Sequence, residues 1–152
     1  MRSPRITAAV IAAAFTATTC TAFTATAAQA APAPGPRLLV PAVKAVHSSK
    51  PTWVKAYWGS TADICDAKVT VEVGHTDVLY PSNTDSYTSF SRGDTLAAGS
   101  DDFTAFQVTT PTDRTIVRAM HLTIGYRMMS KEGCSGAVLT RTFYASLPVR
   151  KV

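Results

Sequence analysis

From Leu38 onward the apolar residues of this chain recur with a period of two, and no long stripe at the helical spacing of 3.6 appears. Successive side chains of a strand point to opposite faces, so the pattern commits the body to β-sheet with one face buried. Lys68 to His75 shows it most cleanly, with Val69, Val71 and Val73 on one side and Thr70 and Glu72 on the other. Thr52 to Ser60 sets Val54, Ala56 and Trp58 against Trp53, Lys55 and Tyr57. The longest run is Thr115 to Met128, where Ile116, Met120, Leu122, Ile124, Tyr126 and Met128 share a face interrupted by Arg118, and it reads as a central strand. Ala137 to Val149 is its hairpin partner across the polar loop 130–136, with Leu139, Phe143, Ala145, Leu147 and Val149 lining one side. Shorter candidates are Val78 to Tyr80, Tyr87 to Phe90 beyond the turn Pro81-Ser82-Asn83, and Phe103 to Thr110. Leu38 to Val46 is held to an edge by Pro41. About seven strands joined by short turns predict an all-β fold, a single immunoglobulin-like β-sandwich. The antibody hallmarks are missing: Trp53 and Trp58 both precede Cys65, and Glu132 rather than a tyrosine stands two residues before Cys134.

The first thirty residues read differently. Arg2 and Arg5, an apolar run from Ile6 to Phe15 and the small-residue pattern Ala28-Gln29-Ala30 describe a cleavable secretory signal peptide, residues 1–30. Removing 30 of the 152 residues leaves 122, enough for one domain. Residues 31–37 form a Pro-rich leader, because proline fixes φ and removes donors, and residues 38–152 are the sandwich domain. No later segment offers about 18 consecutive apolar residues, so no membrane span is expected after cleavage. The expected location is secreted and extracellular, and the Ala/Thr-rich signal points to a bacterium with a GC-rich genome. Cleavage also removes Cys20, leaving Cys65 and Cys134 to meet an oxidising exterior and form one disulfide. Cys65 lies in the loop-like stretch 61–66 and Cys134 in the hairpin loop, which makes the bridge a clamp at one end of the sandwich.

Charge and motifs narrow the function. The signal carries off two arginines, lowering the net charge from +5 to +3, too mild for nucleic acid. Residues 75–113 hold six aspartates against Arg92, and residues 114–152 hold seven basic side chains against Glu132. These are read as solvated faces, since exposed pairs contribute about 0 to 1 kcal/mol each. No Gly-x-Ser-x-Gly elbow, His-Glu-x-x-His, Cys-x-x-Cys or phosphate-binding glycine loop is present, so no catalytic residue, metal ligand or cofactor site is assigned. His47, His75 and His121 read as surface histidines, and Arg92-Gly93-Asp94 as an exposed tight turn rather than an adhesion motif. Trp53, Lys55 and Tyr57, side by side on one strand face, are the candidate ligand-binding residues, because rows of flat aromatics stack sugar rings. The expectation is nevertheless that Trp53 and Tyr57 pack into the core, as most aromatics do. The subtilisin inhibitors and enediyne-binding apoproteins, secreted bacterial β proteins of similar size, typically carry two disulfides where this chain has cysteines for one. The reading is therefore a secreted bacterial non-catalytic binding or interaction protein for an extracellular protein or polysaccharide. A carbohydrate- or cell-wall-binding module is the alternative, with a protease inhibitor presenting Ser86 to Leu96, or a hydrolase, further behind.

Overall fold

The computed structural model describes residues 32–152 apart from residue 83. The expected export signal, Cys20 and Asn83 of the predicted turn lie outside the described residues. Among the described residues nine strands follow in order: β1 Pro36–Leu38, β2 Val46–His47, β3 Thr52–Ser60, β4 Ile64–Val73, β5 Asp77–Leu79, β6 Asp101–Thr109, β7 Ile116–Ser130, β8 Gly133–Cys134 and β9 Leu139–Arg150. They build two sheets, one ordered β1-β3-β6-β5 and the other β2-β9-β7-β4, with β8 added to the end of β7. Two packed sheets with this strand order are an immunoglobulin-like sandwich.

The core is the set of inward positions. Val54, Ala56 and Trp58 of β3 and Phe106 and Val108 of β6 meet Val69 and Val71 of β4 and Met120, Leu122, Ile124 and Tyr126 of β7, all buried. Trp58 is fully enclosed, donates its indole N–H to Thr104 Oγ1 at 3.0 Å and packs edge-on against Phe143. As the periodicity predicts, β7 is central, paired along its length with β9 and over much of it with β4. Pro148 is tolerated within β9 because its nitrogen faces away from β7, toward the strand's short parallel partner β2.

Three expectations are corrected. Leu38 to Val46 is not one strand: the chain leaves the first sheet after Leu39, whose N–H reaches the Tyr57 carbonyl, and bonds to Ser146 of the second sheet through Pro41 and Val43. The segment thus switches sheets around Pro41. The Pro-rich leader enters the fold, since Pro36 and Arg37 belong to β1 and the Arg141 guanidinium donates to the carbonyls of Ala33, Pro34 and Pro36. Gly35 is needed there: its φ is +133°, and a Cβ would lie 2.9 Å from the Tyr126 hydroxyl oxygen. Cys65 lies not in a loop but within β4, buried, just before a bulge at Asp66, whose φ is +52°. The extra residue shifts parity, so that Ile64 and then Ala67 and Val69 face inward.

The Cys65–Cys134 disulfide is present and joins β4 to β8 across the end of β7. Arg127 reinforces that corner, donating to the Asp66 carboxylate at 3.2 Å and the Gly136 carbonyl at 2.8 Å. The opposite end is held by hydrogen bonds, among them Ser49 N–H to Thr110 O and Thr76 Oγ1 to Thr110 Oγ1. Among the described residues the oppositely charged segments meet only at their junction, where the sequence neighbours Asp113 and Arg114 pair; the other ion pairs join Asp66 to Arg127 and Lys68.

Candidate functional site

The outer face of β3 carries the candidate residues. Alternation that buries Val54, Ala56 and Trp58 turns Trp53, Lys55 and Tyr57 to solvent, and Trp53 is 52% and Tyr57 45% exposed. The expectation that these two aromatics pack into the core is overturned. Lys55 lies between them on the same face, and its ammonium sits 3.9 Å above the centroid of the Phe103 ring on neighbouring β6. Tyr57 leans on Phe103 as well, with centroids 6.0 Å apart and planes tilted by 56°. Four residues of strand place Trp53 and Tyr57 about 13 Å apart. The Tyr57 and Phe103 rings form a ridge rather than a single flat plane.

A groove of about 360 Å³ opens beside this face, walled by Val40, Ala42, Val43 and Lys44 on one side and Trp53, Lys55 and Tyr57 on the other. It exists because the chain switches sheets: the segment that would have covered the edge of β3 turns away after Leu39. Among the described residues the main chain of β3 is consequently bare there. The Leu39–Tyr57 hydrogen bond shows that odd-numbered β3 residues direct their main-chain groups to this side. The N–H and C=O of Trp53 and Lys55 and the N–H of Tyr57 therefore face the groove, and no described residue pairs with them.

The outer edge of β4 contrasts with this. Thr88 exchanges both hydrogen bonds with Val69, Leu96 does so with Ile64, Asp94 O accepts from Ala67, and the Tyr80 hydroxyl accepts from the Val71 N–H. The Ser86 to Leu96 segment is thus laid along β4 rather than held out as a loop. Its Arg92-Gly93-Asp94 turn is exposed, as predicted, and Gly93 is explained by its φ of +132°.

Sequence reasoning missed a larger depression of about 860 Å³ at the end of the second sheet. Its lining includes Val73, Val78, Ile116, Arg118, Glu72 and His121. It forms where β7 runs on past the last residue of β4, and the inward Arg118 that interrupts the apolar face of β7 was its visible signal. Arg118 Nε is buried there without a partner. Glu72 and His121 are cross-strand neighbours on the outer face, but no hydrogen bond or ion pair joins them among the described residues, and the His121 ring packs edge-on against Tyr144. His75 sits exposed in a turn at φ +52° and His47 is exposed on β2. No group of three or more His, Cys, Asp or Glu comes together among the described residues in an arrangement that could hold a metal ion. Among the described residues no helix is long and apolar enough to cross a membrane.

No known family matches the chain, and no curated protein does. Among solved structures, the GAE domain of GGA2p from Saccharomyces cerevisiae is 9% identical with a TM-score of 0.45, over 70% of this chain and 84% of that one. The ASH/PapD-like domain of human CEP192 is 7% identical with a TM-score of 0.42, over 98% of each chain. AvmM, which catalyses macrocyclization in alchivemycin A biosynthesis, is 10% identical with a TM-score of 0.38, over 78% of this chain and 89% of that one. These likenesses carry no residue across to this protein.

Proposed function

We propose that the protein is a secreted bacterial binding module, non-catalytic, that engages an extracellular partner through the outer face of β3. The observation that carries this reading is the joint exposure of Trp53 and Tyr57 beside the groove. Aromatics are the side chains most enriched at recognition surfaces, and they lose little conformational entropy on being covered. The disulfide and the absence of a long apolar helix among the described residues are compatible with life outside the cell. The joint exposure also favours a second reading, in which Trp53 and Tyr57 stack on a polysaccharide.

The test places a photo-crosslinking residue at position 55, with position 72, exposed on the other sheet, as control. Incubation with culture medium from the producing cells should give a discrete adduct at 55 and none at 72. Equal labelling at the two positions, or none, removes the β3 face as the recognition surface. Parallel sedimentation with insoluble cell-wall and plant polysaccharides should show no retention. Retention that Trp53→Ala abolishes at an unchanged melting temperature installs the polysaccharide reading instead.

A further inference from the structure

Deepening the proposed use of the β3 face, and resting on it, we infer that the bare edge at Trp53–Tyr57 takes up an extended, acidic peptide of a partner protein as an added β-strand. A free strand edge presents alternating donors and acceptors, and the complementary ligand is another strand, whose main chain answers them in the same order. The groove supplies the space for it. At about 360 Å³ it falls within the range of ligand-sized clefts, and it runs between the edge and the diverging segment Val40–Lys44. Charge selects the sequence: Lys44 and Lys55 are both exposed at the groove, and no described carboxylate pairs with either. Val40, 47% exposed, and Trp53 supply apolar contacts for alternate side chains of the incoming strand. The molecule closes the edge of β4 with residues from 80 to 96, whereas no described residue closes this stretch of β3 beside two lysines and an exposed tryptophan. Such an edge needs a partner or a block, and the groove is shaped for the former.

A short capped peptide of alternating valine and glutamate is the probe, followed by amide exchange and NMR on the intact disulfide-bonded protein. At saturation the amides of Trp53, Lys55 and Tyr57 should exchange about tenfold more slowly or better. The amides of Thr142 and Tyr144, which β9 directs outward by the same alternation, should not change. The same peptide N-methylated at alternate residues should not bind, because it lacks the donors, and Lys55→Glu should weaken the unmodified peptide roughly fivefold with its melting temperature retained. Binding without protection of the β3 amides, or equal protection of Thr142 and Tyr144, overturns strand addition. Protection that rises with protein concentration and needs no peptide assigns the edge to a second copy and also overturns it. If position 55 captures a partner but this peptide fails to bind, the recognition face stands and the strand proposal falls. If both fail, both fall.

Discussion

At the scale of single residues, the two neighbouring tryptophans of β3 divide structure from recognition. Trp58 is enclosed and hydrogen-bonded, whereas Trp53 is half exposed. Trp58→Ala should cost about 3 to 5 kcal/mol, and Trp53→Ala less than about 1. Urea unfolding of the two variants checks this, and similar midpoints would contradict it. The period-two pattern separated the faces correctly, but the expectation that Trp53 and Tyr57 pack into the core misjudged which aromatics were covered. Lys55 between Trp53 and Tyr57 was the legible signal, since an unpaired lysine costs too much to bury. Asp102 supplies a pH-dependent element. Burial pushes its carboxyl up, but the hydrogen bonds from the Ser91 hydroxyl and the N–H groups of Phe103 and Arg92, with the Arg92 charge, outweigh that and hold it below the ordinary aspartate range. A lowered folded-state value gives a contribution that is full above the unfolded pKa of about 3.9 and lost as pH falls through the folded one. Wild-type stability should therefore fall on acidification in that window. Asp102→Asn should be less stable at neutral pH and show a shallower acid limb in unfolding measured across a pH series.

At the scale of elements, β7 offers the sharpest test, because adjacent residues meet opposite environments. Leu122 is fully buried, and Thr123 faces outward with its hydroxyl 3.1 Å from that of Thr142. Leu122→Ala should cost about 2 to 5 kcal/mol and Thr123→Ala under about 1, read from urea midpoints. β3 was legible to the residue, and the faces of β7 and the inner half of β4 were read correctly, because simple alternation survives where strands pair regularly. Two features break alternation and were hidden for that reason. The bulge at Asp66 inserts one residue, so Cys65 looked like loop. The sheet switch around Pro41 divides its pairing between two partners, which local periodicity does not encode. The groove depends on that switch, so its aromatic wall was visible in the sequence while its bare edge and opposite wall were not.

At the scale of the whole molecule, the disulfide closes a loop with a sequence separation of 69, corresponding to roughly 4 kcal/mol in the chain-entropy description. That is a large share of the total for a domain of this size, typically about 5 to 15 kcal/mol. A Cys65→Ala/Cys134→Ala variant should lose most of that amount, measured by chemical unfolding against the oxidised wild type. The bridge lies at the same end of the sandwich as Arg141 and the carbonyls it gathers. The far end, where β3 begins at Thr52, has hydrogen bonds and buried apolar contacts such as those of Val46, Val108 and Val149, and among the described residues no covalent bridge. Such a molecule frays like a cord knotted at one end, so its lowest-energy local openings begin around the turns at 47–52, 74–76 and 110–115, and native-state labelling should proceed from there toward Cys65. Whatever occupies the edge at Trp53 would thus fasten the loose end.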